Sequence, residues 1–198
     1  MRATSTPILT AGLVAALLSA CRDAPRPPTP PASSRRSVSA PADAPTPAHR
    51  PALVREGGAL ARAVGEEALY LADEDVGVVR RIPLPVDIQT PPTVVKMPGA
   101  PAAVLALDGR VLVTIRDPGL LVILRTDKEL GLVETARVPL PADAWGLAVT
   151  PDEGIALVTS AWTHQVSAVD LRTSKKLWTI DVAREPRGVV VRADGKSA

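Results

Sequence analysis

Few side chains in this 198-residue chain are equipped for chemistry beyond solvation. There is one cysteine, Cys21, and there are two histidines, His49 and His164. A single cysteine makes neither a disulfide framework nor a Cys-based zinc site within the chain, and two histidines exclude a His-rich metal site. The sequence carries no G-x-S-x-G nucleophile turn, no G-x-x-x-x-G-K-[ST] phosphate loop, no H-E-x-x-H pair and no C-x-x-C-H haem attachment. No catalytic residue, cofactor or metal is therefore assigned. Two places remain. Cys21 has a thiol that can carry a lipid. The stretch Ser160-Ala161-Trp162-Thr163-His164-Gln165 sets a stacking face, Trp162, two residues from a hydrogen-bonding ring, His164. A histidine without a partner group is a poor acid, base or ligand, so Trp162 and His164 are candidates for binding rather than catalysis.

The context of Cys21 is an address. Arg2 supplies a short positive region, and Ile8 to Ala20 is a largely apolar run of thirteen residues. A membrane-spanning helix needs about 20 residues, so the run fits a signal peptide over residues 1–20. It closes with Leu18-Ser19-Ala20-Cys21, which resembles the bacterial lipobox. That resemblance implies diacylglycerol on the Cys21 thiol, cleavage before Cys21, and a membrane partner through that anchor, since two or three acyl chains give stable attachment. Arg22 in the following position implies, by similarity to enterobacterial sorting, the outer membrane. The expected location is the bacterial cell envelope, facing the periplasm or the exterior.

Residues 21–56 read as a tether. Nine of the thirty residues from 22 to 51 are proline, which fixes φ and removes a donor, so neither helix nor central strand is expected. His49 falls here and is read as solvated. Charge separates along the same boundary. Residues 22–55 hold six Arg and two Asp, whereas residues 56–198 hold 16 Lys or Arg and 19 Asp or Glu. The pI near 9.0 thus comes from the tether. A nucleic-acid partner would need its basic residues clustered on a folded surface, and none is expected.

From residue 57 short apolar runs recur between turn residues. Glu66, Asp108, Asp152 and Asp194 mark successive first turns, with spacings of 42, 44 and 42. Each unit opens on an apolar run (Leu60–Val64, Val104–Leu107, Gly146–Thr150, Gly188–Arg192) followed by a glycine-bearing turn. A second run follows (Ala68–Ala72, Val111–Ile115, Ile155–Ser160), then a third (Gly77–Ile82, Leu120–Leu124, Val166–Leu171) and a fourth (Thr93–Met97, Gly131–Val138, Lys176–Val182). Four short strands per unit of about 43 residues predict the blade of a β-propeller. The fold class is all-β: a partial propeller over 57–198, with blades at 57–97, 98–140 and 141–184, and a fourth beginning at 185–198. Three blades and one strand read as a piece of a longer array, the alternative being two or more copies that close one ring together, since propellers have about 4–8 blades. Trp145 and Trp178, at strand ends, are expected between blades. Asp170 is expected to cap a turn, and the acidic stretch 72–77 and Lys175-Lys176 to be solvated loops.

The sequence then resembles the YVTN-type propeller repeat. Gly146-Leu147-Ala148-Val149-Thr150-Pro151-Asp152 is similar to its opening, Leu157-Val158-Thr159-Ser160 to its second strand, and Val166-Ser167-Ala168-Val169-Asp170 to its third, while Glu185-Pro186-Arg187-Gly188 opens the next unit. The pattern is full over 141–198, weaker over 98–140 and faint over 57–97. Glu153 replaces the turn glycine, which moves to Gly154, and Thr114-Ile115 stands where the family has Thr-Asn. The resemblance implies an envelope module that binds a protein or small ligand at a propeller rim, with Trp162 and His164 as rim candidates. Two alternatives follow from similar propellers. One is a blade array within a larger redox protein, of the di-haem cytochrome c peroxidase type or partnering a quinone or copper enzyme. The other is a lactonase-like hydrolase, which would need acidic and histidine side chains converging at the channel mouth, where this sequence offers only His164.

Overall fold

The computed structural model describes residues 55–127 and 131–198. These residues form twelve strands and, among them, no helix. Blade 1 is β1 (Leu60–Arg62), β2 (Ala68–Asp73), β3 (Val78–Pro83) and β4 (Thr93–Lys96). Blade 2 is β5 (Pro101–Leu107), β6 (Arg110–Ile115), β7 (Leu120–Asp127) and β8 (Gly131–Pro139). Blade 3 is β9 (Ala144–Val149), β10 (Ile155–Ser160), β11 (Gln165–Asp170) and β12 (Lys175–Asp181). Each blade is a four-stranded antiparallel meander in sequence order, and the architecture is that of a partial β-propeller. The turns set the register. Leu107 pairs with Arg110, leaving Asp108-Gly109 as a two-residue hairpin loop, and Gly109 takes the φ of +63° that such a loop demands.

Strand alternation decides the packing. Successive side chains point to opposite faces, and blade 2 is apolar on both. Val104, Ala106, Val111, Val113, Val122 and Leu124 join Ala68, Tyr70, Ala72 and Val79 of blade 1 in one core cluster. Ala103, Leu105, Leu107, Leu112, Leu121 and Ile123 join Leu147, Val149, Ala156, Val158, Val169 and Leu171 of blade 3 in the other. A core with no phenylalanine is thus filled by aliphatic side chains, with Tyr70 the one buried aromatic residue among the described residues.

A buried hydroxyl knits the blade 2–blade 3 interface. Thr114 Oγ1 accepts from Ala103 N at 3.0 Å and donates to the Trp145 carbonyl at 2.9 Å. Thr159, at the matching position of blade 3, accepts from Gly146 N at 2.8 Å. Ahead of β1 the chain crosses the inner strands. Gly57 N donates to Leu147 O at 2.7 Å, Val149 N to Arg55 O at 2.9 Å, and Gly58 and Val104 exchange bonds of 3.1 and 2.7 Å. This segment covers the inner edges of β9 and β5, which would otherwise be open to strand addition.

One expected strand is absent. Residues 188–192 carry no strand assignment, although the turn after them is formed, with Gly195 N donating to Arg192 O at 2.9 Å. A strand exists through its ladder, and no described residue pairs with Val189–Val191. The signal peptide over 1–20, Cys21 and most of the tether lie outside the described residues.

Candidate functional site

One end of the blades gathers five connections. These are the β2–β3 loop with Glu74, the β6–β7 loop with Arg116, the β8–β9 connection with Asp143, the β10–β11 loop with Trp162, and the stretch Glu185–Arg187. Backbone bonds lock them together. Asp143 N donates to Arg116 O at 2.7 Å, Leu140 N to Gly119 O at 3.0 Å, and Ala161 N to Asp143 O at 3.0 Å. Ser160 Oγ donates to Pro141 O at 3.1 Å. Asp143 holds a left-handed φ of 61°, a conformation that Asp and Asn tolerate better than most residues.

Arg116 is the hub. Its Nε donates to Asp143 Oδ1 at 2.6 Å, and its NH1 donates to Glu74 Oε1. The Asp143 side chain is 1% exposed, and Arg116 is 25% exposed. A carboxylate so buried requires its cation, and the bond to Asp143 in turn raises the guanidinium pKa further above its ordinary value, against the opposing effect of burial. The second carboxylate oxygen, Asp143 Oδ2, is buried with no donor of the protein beside it.

Planar groups then stack outward from this hub. The Arg116 guanidinium lies 4.4 Å from the Trp145 ring centroid and 5.7 Å from that of Trp162, and Arg187 lies 4.7 Å from Trp145. Both guanidinium groups therefore lie against the Trp145 ring. The order is Arg187, Trp145, Arg116, Trp162: cations and indoles in alternation. Each contact contributes about 0.5–2 kcal/mol, depending on desolvation. The ladder ends on Trp162, which is 68% exposed.

The two rim candidates from the sequence thus fall differently. Trp162 is an exposed platform backed by Arg116. His164 shares its loop in a turn role: its amide donates to Ala161 O at 3.3 Å and its carbonyl accepts from Val182 N at 2.8 Å, with a φ of 56°. Trp145 lies between blades as expected, but against the cations Arg116 of blade 2 and Arg187 of the next unit rather than in an aliphatic core. Trp178 is 44% exposed, on the open face of blade 3. Asp170 caps its turn, accepting from Arg172 N at 2.8 Å and Thr173 N at 3.0 Å. The acidic stretch 72–77 is more than a solvated loop, since Glu74 reaches Arg116. Sequence reasoning missed Arg116, Asp143, Glu74 and Arg187. The repeat phase held some of the signal: Arg187 precedes Gly188 as Trp145 precedes Gly146, so both occupy the same step of successive units.

Fold and rim together define a β-propeller module, and solved structures agree on the fold. A hydrazine synthase chain of Kuenenia stuttgartiensis superposes with a TM-score of 0.60 at 16% identity, over 69% of this chain and 39% of that one. A 6-phosphogluconolactonase-like protein of Bacteroides fragilis gives 0.57 at 16% identity, over 67% and 40%. Its counterpart from Bacteroides uniformis gives 0.52 at 17% identity, over 64% and 40%. The matched region spans about two fifths of each of these structures. No protein-family model matches the chain, and no curated protein does.

Proposed function

We propose that this chain is a lipid-anchored cell-envelope propeller of the YVTN type, whose loop-bearing rim binds a protein or small ligand. The anchor rests on Leu18-Ser19-Ala20-Cys21 after an apolar run, and the family on the repeat sequence over 141–198. The observation that carries the binding role is the ladder ending on Trp162. An indole 68% exposed on a chain with 2% aromatic residues is rigidly presented by Arg116, itself pinned by Asp143 and Glu74. Exposed aromatic groups on a rigid support are what binding sites use as anchors.

The hydrazine synthase likeness brings the redox alternative with it through the fold alone. The sole cysteine, Cys21, leaves no haem-attachment pair in these residues. The 6-phosphogluconolactonase-like structures bring the hydrolase alternative. The rim carboxylates Asp143 and Glu74 are both committed to Arg116, which leaves neither free as a base. Binding therefore ranks first.

Two experiments test the reading. A Cys21→Ser variant should leave the detergent phase; retention there removes the anchor. A photocrosslinking residue placed at Trp162 in cells should give adducts that the same residue at Gly109, on the opposite turn face, does not. Matching adducts at both positions, or none at Trp162, would sink the rim role.

A further inference from the structure

The three blades differ at one connection. β7 and β8 are separated by three residues and β11 and β12 by four, but β3 and β4 of blade 1 by nine. The extra length lies at the end opposite the Trp162 rim. β3 runs away from the rim loop that carries Glu74, and Leu84 N donates to Glu67 O at 2.9 Å, in the β1–β2 turn of that opposite end. Pro85, Pro91 and Pro92 stiffen the loop by fixing φ. Asp87 closes its tip, its carboxylate accepting from Gln89 N at 3.0 Å and its carbonyl from Thr90 N at 3.1 Å. On either side of Asp87 two aliphatic side chains stand in solvent: Val86 is 71% and Ile88 92% exposed. Val64, in the neighbouring β1–β2 turn, is 45% exposed. In repeat arrays an insertion confined to one unit maps to a loop on one face and often to the binding face. The base of this loop leans on blade 2, where a Cβ on Gly131 would stand 3.1 Å from Thr93 Cγ2. The tip therefore extends past the end of the strands rather than into a face on which another blade stacks.

Two further observations bear on what lies against this end. The chain enters the blades here: Arg55 O accepts from Val149 N at 2.9 Å, and Val149 closes β9 at the end away from Asp143. The tether that leads back in sequence to Cys21 thus joins the blades at the end that carries the loop. Arg110 and Arg125 stand directly opposite each other on β6 and β7 at the same end. Neither neutralises the other, and anionic headgroups attract such cations. We propose that the 84–92 loop is a lipid-contacting tip. Val86 and Ile88 enter the headgroup–acyl boundary of the bilayer that holds the anchor, and Arg110 and Arg125 are drawn to its anionic phosphates. The choice of a bilayer over a protein surface rests on the anchor reading. Interfacial binding scales with buried apolar area plus attraction to anionic lipid, so two aliphatic side chains alone bind weakly. The tether raises the local concentration of the loop at the surface, and a small apolar tip then suffices to orient the module. The rim bearing Trp162 faces away from the membrane.

The test uses the full chain with Cys21→Ser, which removes the sole cysteine. The outcome then does not depend on lipidation, and a failed anchor reading shows instead in detergent partitioning. An environment-sensitive fluorophore is attached at Ile88→Cys or, as the rim control, at Trp162→Cys, and vesicles of phosphatidylglycerol and phosphatidylethanolamine are added. At residue 88 the emission should shift to the blue, and quenching by acyl-brominated lipid should place the label about 5–10 Å into the headgroup–acyl boundary. At residue 162 it should remain that of a label in water. Val86→Asp should weaken the insertion of residue 88 by about tenfold or more, the effect of losing one buried aliphatic side chain. These substitutions fall on exposed residues and should leave the circular dichroism of the blades unchanged. An unshifted label at residue 88 overturns the proposal, and so does insertion that Val86→Asp leaves intact. An equal shift at residue 162 overturns it too, since attachment is then unspecific. A label at residue 88 already shifted before vesicles are added also overturns it, because a protein surface then covers the loop.

Discussion

Blades 2 and 3 share one strand plan and differ in what lies beyond them. Blade 2 is covered on both faces: five of the six residues of β6 are buried, and Leu121, Val122 and Leu124 of β7 are 0% exposed. Blade 3 is covered on one. Its β10 is as buried as β6, but β12 has a single half-buried residue, Thr179, and six exposed ones. The sequences of β8 and β12 are not very different in polarity, so burial here is a property of neighbours rather than of strands. In a repeat array each unit is stabilised mainly across its interfaces, and among the described residues only blade 2 has both of its interfaces formed.

The largest effect should come from breaking the blade 2–blade 3 core. Leu112 is 0% exposed within it, and Leu112→Ala should cost about 2–5 kcal/mol, the transfer loss plus the cavity left behind. Ile180→Ala, on the open face at 51% exposure, should fall within about 0.5 kcal/mol. Urea unfolding followed by circular dichroism checks both. Equal costs would mean that the open face of blade 3 is covered in solution.

A second pair compares the two ends of blade 2. Gly119 has a φ of +87°, and a Cβ there would lie 2.4 Å from the Pro141 carbonyl and 2.7 Å from that of Leu140. Gly119→Ala should cost about 1–3 kcal/mol in backbone strain, before the overlap is counted, and should loosen the connection that carries Asp143. Gly109, at the opposite end, has a φ of +63° and nothing within 4 Å of a built Cβ. Gly109→Asn should be nearly neutral, because Asn tolerates that region. A thermal melt of each variant separates them, and equal shifts would show the rim to be as pliant as the turns.

Much of this was legible in advance, for identifiable reasons. Period-2 alternation and Asp-Gly turns are local signals, so all twelve strands were expected within about three residues at each end, β10 to the residue, and the all-β propeller class followed from their repetition. The run at 188–192 carries no strand assignment, since a strand needs a ladder partner that a local signal does not report. The rim was half legible. Trp162 stood out as an aromatic residue in a loop, but Arg116, Asp143 and Glu74 come from three connections, and only the stacking of blades brings them together. Trp145 and Trp178 were expected between blades: Trp145 lies between Arg116 of blade 2 and Arg187 of the next unit, and Trp178 lies on a blade face, 44% exposed.

The hydroxyl rung sets the middle of the scale. Thr114→Val keeps the shape but leaves Ala103 N and the Trp145 carbonyl without their bonds, at a cost of about 1–3 kcal/mol. Thr159→Val should cost less, since Thr159 serves Gly146 N alone among the hydrogen bonds of that interface. Trp145 fluorescence should change with Thr114→Val and remain unaltered with Thr159→Val, which tests whether the rung positions the ladder.

The smallest effect distinguishes the two interfaces of blade 2 by pH. The blade 2–blade 3 core is aliphatic, whereas a polar network lies at the edge of the blade 1–blade 2 core. Glu66 accepts from Arg81 NH2 at 2.5 Å and from the Tyr70 hydroxyl, and Tyr70 approaches Thr126 of blade 2 at 3.5 Å. The hydrogen bond from Arg81 holds the Glu66 carboxyl below its ordinary pKa, against the opposing pull of burial. A carboxylate with a depressed folded pKa contributes stability that is fully present above its unfolded value, near 4.3, and is lost as pH falls through the lower folded value. The side chain is 25% exposed, so solvent screening holds the contribution to about 1 kcal/mol. Acidification through about pH 4 and below should therefore lower the amide protection factors, taken relative to intrinsic rates at each pH, in β2 and β3 before those in β9 and β10. Glu66→Gln should flatten that difference, since the amide does not titrate. Tyr70 acts at the other limit. Desolvation raises its pKa above 10, so its contribution is present below that value and is lost as pH rises through the higher folded one. If acid loosens β9 and β10 as early as β2, the Glu66–Arg81 pair does not govern the acid limb, and the two interfaces respond to pH as one.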